Sequence, residues 1–310
     1  MANFRLYYFS QVLKMKVGVN VIIPENTWGH SLADRPQVRH LRQRGMIAAV
    51  LVGLLCAVVG TYVVLRSMAF LGDALAHAIL PGVAVAYLVG GNLLIGALIA
   101  AILVALGIGF FTRGGTVRED TAIGILFSAA LALGVALISS IRSYAVDLSH
   151  IIFGNILGVS PADLWLIAGL AVLVLSAVIL LFRPFFVVSF DPVLAKTLRL
   201  PVELLRNLLL VLLALTIVVS IQTVGIGLVA AMLVTPGATA YLLTRRLAPM
   251  MAISAVLGVA ASIIGLYLSY YLNIVSGSAI VLVATTFFLL AFFFAPQKGW
   301  VWQRLHIQRR

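Results

Sequence analysis

Long runs without a charged side chain dominate this sequence. No Asp, Glu, Lys or Arg occurs from 207 to 244 or from 247 to 297. A helix that crosses a bilayer needs about 20 mostly apolar residues, so each run is long enough for two crossings. Backbone groups in lipid must be hydrogen-bonded internally, and an α-helix meets this requirement within one segment. The sequence therefore predicts a polytopic α-helical membrane protein.

The composition and the net charge agree with this class. Of 310 residues, 63% are hydrophobic and 10% are charged, whereas a soluble domain carries about 25% charged residues. The formal net charge is +12, which in a soluble protein would suggest binding to nucleic acid. Here most basic residues lie between apolar runs or near the chain ends, as in loops that stay in the cytoplasm. The charge therefore indicates topology.

About nine segments are apolar enough to cross a membrane. The predicted passes are 46–65, 68–89, 92–112, 120–140, 163–182, 207–222, 226–243, 250–272 and 278–295. The domain organisation follows from them. A basic N-terminal arm at 1–45, disordered or peripheral, precedes a transmembrane domain at 46–298 and a basic tail at 299–310.

The basic loops predict the orientation of the chain. The segment 183–206, the turn 244–249 and the tail 299–310 all carry Lys or Arg. Alternating passes place them on one face, which the positive-inside rule assigns to the cytoplasm. The same count places the arm 1–45 outside, although it is basic. Either the arm is translocated, or part of it enters the membrane, or one predicted pass is not a span.

Asp73 and His77 form a polar pair in the second predicted pass. Asp73 is the only charged residue between Ser67 and Thr112, and positions i and i+4 share one face of a helix. An acid inside a bilayer is costly and typical of an ion or proton path, and carboxylate and imidazole suit Mn²⁺, Fe²⁺ or Zn²⁺. We interpret the pair as a metal site. The alternative is a buried hydrogen bond that only fixes helix packing. Pro81 predicts a kink just beyond it.

A short helix is predicted within the segment 183–206. Asp191 fits an N-cap, Pro192 fits the first helical position, and Pro201 stops the run. Such a helix suits docking of a partner protein, but the residues alone favour an amphipathic connector on the membrane surface. The Walker A pattern Gly-x-x-x-x-Gly-Lys-Ser/Thr is absent from the sequence. A nucleotide site is therefore not predicted. No nucleophile–base arrangement stands out either, so no catalytic site is predicted.

Four segments together resemble one family of membrane proteins. They are 62–82, 119–124, 191–201 and 225–237. In this order they closely resemble the permease subunits of bacterial manganese, zinc and iron ABC importers, the ABC-3 family. The resemblance extends over about residues 40 to 298.

The resemblance implies a fold, partners and site residues. It implies a type II ABC importer-like permease in the bacterial plasma membrane, a homodimer with a central pathway and no permanently bound cofactor. Its implied partners are a cytoplasmic ABC ATPase and an extracytoplasmic solute-binding protein that delivers the metal. Asp73 and His77 match residues implicated in metal passage. The match to the coupling helix, which sits in a groove of the ATPase, covers Asp191, Pro192, Ala195, Lys196, Leu198 and Pro201.

The functional prediction is a permease subunit of an ATP-driven importer of Mn²⁺, with Zn²⁺ and Fe²⁺ as alternatives. Closure of the partner ATPases would move the coupling helices and reorient the membrane helices around Asp73 and His77. The competing hypothesis is a stand-alone secondary cation transporter or channel in which one of these two residues carries a proton. A membrane scaffold without a transport role is a third, weaker hypothesis.

Overall fold

A computed structural model describes residues 36–140 except Thr116, residues 159–272 and residues 274–295. The chain divides into two compact units, residues 1–42 and residues 43–310. The predicted arm before Pro36 and the predicted tail 299–310 lie outside the described residues. The regular elements of the described part are helical: α1 Pro36–Leu65, α2 Leu71–Ala78, α3 Leu80–Leu88, α4 Leu93–Phe111, α5 Glu119–Ser139, α6 Pro161–Leu180, α7 Phe182–Phe190, α8 Pro192–Thr197, α9 Val202–Val224, α10 Ile226–Leu243, α11 Leu247–Leu272 and α12 Ser276–Phe294, with a short 3₁₀ turn at Arg113–Gly115.

Within these residues, nine helical segments are long and apolar enough to cross a membrane. The prediction of an all-α polytopic protein is thereby confirmed. The second span, Leu71–Leu88, is built from two helices, α2 and α3, instead of one. The helix α9 begins at Val202, five residues before the pass predicted at 207–222. The short helices α7 and α8 occupy the segment between the spans α6 and α9, where a docking element is predicted.

The first and sixth spans are the most enclosed of the nine. They belong to α1 and α9, whose side chains make up much of the buried core. Small residues let α1 approach its neighbours closely, as is usual for helices packed in membranes. The hydroxyl of Ser254 in α11 donates a hydrogen bond to the backbone carbonyl of Ala57 in α1, at 2.8 Å. The core is therefore held by close backbone approach as well as by apolar packing.

Two helices approach each other closely at Gly60 of α1. A Cβ placed on Gly60 would lie 1.7 Å from the carbonyl oxygen of Leu233 and 2.7 Å from its carbonyl carbon. Both atoms belong to the backbone of α10, so no side-chain rotation can relieve the clash. A glycine is required here because the two helices touch along their main chains.

We expect Gly60→Ala to destabilise the protein by ~1–3 kcal/mol or more, because overpacking a filled interface forces the backbones apart. The measurement is the midpoint of thermal unfolding of the purified protein in detergent. Gly169→Ala is the matched control, because a Cβ at Gly169 meets no atom within 4 Å and alanine favours the helix. An equal midpoint for both variants would contradict this account of the α1–α10 contact.

The end of α1 sets the position of the next helix. Ser67 has φ 57°, its N–H donates to the carbonyl of Val64 at 3.1 Å, and the N–H of Met68 donates to the carbonyl of Val63 at 2.9 Å. This is the hydrogen-bond pattern of a Schellman C-cap, with Ser67 in the left-handed region. The chain turns sharply there and enters α2 after a short connection. The polar pair of the second pass lies on α2.

Candidate metal site and docking segment

Helix α2 brings Asp73 and His77 together one turn apart. The Nδ1 atom of His77 lies 3.0 Å from the backbone carbonyl oxygen of Asp73 and 3.5 Å from Oδ1 of its carboxylate. A carbonyl oxygen only accepts, so Nδ1 of the neutral ring carries the proton in this hydrogen bond. The Nε2 atom then keeps its lone pair, which is the form of imidazole that binds a metal ion.

The pair lies on the exposed side of a helix that is otherwise buried. The side chain of Asp73 is 51% exposed and that of His77 is 33% exposed, while Leu71, Gly72, Ala74, Leu75, Ala76 and Ala78 are buried. This stripe continues at four-residue spacing through the half-buried Pro81 and the exposed Val85. A carboxylate that faced hydrocarbon would be costly. This stripe therefore needs water or another protein surface against it. A pair that only fixed helix packing would instead be buried within the chain.

A break in the helix adjoins His77. Helix α2 ends at Ala78 and α3 begins at Leu80, with Pro81 in its first turn. In an uninterrupted helix the carbonyl of His77 would accept a hydrogen bond from the N–H of residue 81, but proline has no N–H. The break therefore follows from the sequence. Gly82 packs on Gly96 of α4, where a Cβ on Gly82 would lie 2.1 Å from the carbonyl oxygen of Gly96.

The imidazole of His77 also contacts an aromatic ring of α5. The rings of His77 and Phe127 are 5.9 Å apart between centroids, at an interplanar angle of 76°. This edge-to-face arrangement limits the orientations that the imidazole can adopt. Sequence reasoning missed Phe127, because a phenylalanine in an apolar helix gives no signal of its own. Its spacing of eight residues from Glu119 places both residues on one side of α5.

The described residues of one chain supply only part of a metal coordination shell. Among the described residues no group of three or more His, Cys, Asp and Glu side chains is close enough to hold a metal ion. Asp73 and His77 thus offer two ligands. Divalent transition metals in proteins take four to six ligands. Within the part of the chain that the structure describes, the remaining ligands of such an ion would be water, backbone carbonyls or groups of a second chain.

The helix α8 has the caps that the sequence predicts. The Oδ1 atom of Asp191 accepts hydrogen bonds from the N–H groups of Val193 and Leu194, both at 2.9 Å, and Pro192 is the first helical residue. At the other end, Arg199 has φ 56°, and the N–H of Leu200 donates to the carbonyl of Ala195 at 3.0 Å. This Schellman C-cap closes a helix of six residues.

The residues of α8 divide into an inner and an outer set. Ala195 is fully buried, so its side chain packs within the chain itself. Asp191, Pro192, Lys196 and Pro201 are exposed. Three large apolar side chains are also exposed, namely Val193, Leu194 and Leu198. A short capped helix that presents apolar side chains between two spans suits contact with another protein or with the membrane surface. Val193 and Leu194 are exposed beside the predicted residues.

The comparison with known proteins identifies the family. The profile of the ABC 3 transport family matches residues 39–295. The chain belongs to this family. It is a multi-pass bacterial membrane permease subunit and not a catalytic subunit, which confirms the resemblance seen in the sequence.

Individual members of the ABC 3 transport family are similar over most of their length. The chain is 51% identical over 257 residues to the manganese transport system membrane protein MntC of Halalkalibacterium halodurans, covering 83% of this chain and 88% of the relative. It is 46% identical over 265 residues to the manganese import system permease protein ScaB of Streptococcus parasanguinis, covering 86% and 94%. The solved structure of PsaBC from Streptococcus pneumoniae in complex with Fab matches with a TM-score of 0.75 and 40% identity, over 87% of this chain and 95% of that chain.

Proposed function

We propose that this ABC 3 permease subunit imports a divalent transition metal through a pathway that passes Asp73 and His77, and that Mn²⁺ is its main substrate. The observation that carries the proposal is the exposed carboxylate of Asp73 beside the partly exposed imidazole of His77 on a membrane-spanning helix pair. Both are ligand types for Mn²⁺, Fe²⁺ and Zn²⁺. A transport site must release its ion as well as bind it, and each chain contributes only two side-chain ligands to this one. The names of MntC and ScaB support manganese as the transported ion.

The exposed stripe also supports a homodimer. A second copy that faces the first across the stripe would cover Asp73, remove it from lipid and supply a second carboxylate and a second imidazole. Two copies of the pair would supply four side-chain ligands. In this proposal the metal passes between two permease subunits.

Energy for transport comes from a separate ATPase in this proposal. The sequence lacks a Walker A pattern, and the exposed apolar side chains of α8 offer a surface on which a cytoplasmic ABC ATPase docks. A solute-binding protein delivers the metal from the opposite side. Closure of the ATPase moves α8, and the break between α2 and α3 lets the helices around Asp73 and His77 reorient in alternating access.

The test is metal uptake into proteoliposomes that contain the chain, its ATPase and its binding protein. We expect ATP-dependent accumulation of radioactive Mn²⁺, with Zn²⁺ and Fe²⁺ offered separately and as competitors. A preference for Zn²⁺ or Fe²⁺ would correct the metal while keeping the importer. Uptake by the chain alone, without ATP or the ATPase, would instead establish the stand-alone secondary transporter or channel.

A further inference from the structure

An ion pair joins two segments that are far apart in the sequence. Arg66 directly follows α1, Glu119 is the first residue of α5, and their side chains form a salt bridge. The side chain of Arg66 is only 9% exposed. Burial lowers the pKa of its guanidinium, and the charge of Glu119 counteracts this effect. A buried arginine that lost its partner would be an uncompensated charge, so the pair is held together strongly.

A second arginine, Arg206, joins the start of α9 to the end of α4. The Nη2 atom of Arg206 donates to the carbonyl of Gly109 at 2.9 Å and to Glu203 at 2.6 Å, and its Nη1 atom donates to the carbonyl of Thr112 at 3.3 Å. A cation at this position satisfies carbonyl groups that the end of a helix leaves without partners. Arg206 also lies close enough to Arg66 for its charge to contribute to the lowered pKa of Arg66.

These contacts connect the docking segment to the candidate metal site. Helix α9, which carries Arg206, begins directly after α8 and its C-cap. Arg206 binds the end of α4, and the short turn beyond it leads to Glu119. Glu119 binds Arg66 just before α2, and two turns farther along α5 Phe127 touches the ring of His77. The helices α2 and α5 are therefore joined at two levels.

We propose that Arg66 and Glu119 are positioning residues for transport. This proposal rests on the proposed function. Their ion pair sets the register of α5 against α2 and so holds Phe127 against the imidazole of His77. Neither residue binds the metal. Without the pair, α5 can shift along α2, and movement of α8 no longer reaches the site in step with ATP hydrolysis. The quantity that changes is the number of metal ions moved per ATP hydrolysed.

The test is Glu119→Gln in proteoliposomes with the ATPase and the binding protein, with Mn²⁺ uptake and ATP hydrolysis measured together. We expect the ratio of Mn²⁺ moved to ATP hydrolysed to fall by about tenfold, in the range of a coupling residue, while the complex stays assembled in size-exclusion chromatography. The charge exchange Arg66→Glu with Glu119→Arg should restore the ratio, because it restores the ion pair.

Asp120→Asn is the matched control. Asp120 is exposed, follows Glu119 in the first turn of α5 and carries the same charge near the same helix end. We expect its ratio to equal that of the wild type. An unchanged ratio in Glu119→Gln, an equal fall in Asp120→Asn, or a loss of assembly that the charge exchange does not repair would each overturn the inference. A wild-type complex that moves no metal would refute the proposed function instead, since the inference concerns only the difference between variants.

Discussion

Asp73→Asn and His77→Ala are each expected to lower metal uptake by more than about a hundredfold while the complex with the ATPase stays assembled. Even the outer partners of metal ligands typically cost 10- to 100-fold when they are removed, and these two side chains are the candidate ligands themselves. Asparagine keeps the size of Asp73 but loses the charge that attracts a cation. Alanine at 77 removes both the Nε2 lone pair and the ring that packs on Phe127.

Both side chains are partly exposed, so neither change opens a cavity in the core, and the folded chain should persist. Uptake of radioactive Mn²⁺ is the measurement, with the amount of assembled complex determined on the same sample. Asp120→Asn again serves as a control, because it removes a carboxylate from an exposed position outside the candidate path. If both site variants took up Mn²⁺ at the wild-type rate, Asp73 and His77 would have no part in transport.

Most of the fold follows from local properties of the sequence. Uncharged runs of sufficient length predict the nine spans, and the caps of α8 are readable from Asp191 and Pro192 because their chemistry acts over a few residues. The helix break near His77 is also predictable from Pro81. These features depend on neighbours along the chain, so a single sequence contains them.

The features that join distant segments are not predictable in this way. Arg66 and Glu119 are 53 positions apart, and Arg206 meets the carbonyl of Gly109 across 97 positions, so only packing brings them together. The left-handed conformation of Ser67 is not predictable from the sequence either, because glycine is the usual residue at such a C-cap. In the candidate site, Asp73 and His77 stand out as polar residues in an apolar run, whereas Phe127 is one apolar residue among many.

In the docking segment, the structure separates the side chains that suit a test of docking from those that do not. Ala195 is fully buried, so a charge there would damage the chain itself and would not report on a partner. Leu194 is 47% exposed, so Leu194→Asp changes the outer surface of α8 and leaves its packing intact. The hydrogen bond from the backbone N–H of residue 194 to Asp191 does not depend on the side chain and is also retained.

We expect Leu194→Asp to weaken binding of the ATPase by roughly thirtyfold or more, the loss typical of a central apolar contact in an interface, because docking would bury an unpaired carboxylate. The measurement is a titration of the detergent-solubilised permease with its ATPase, followed by Mn²⁺ uptake. Arg199→Gly is the control, because glycine adopts the left-handed conformation of Arg199 without a steric penalty and keeps the C-cap of α8. Wild-type affinity of Leu194→Asp for the ATPase would mean that the partner docks elsewhere on this face.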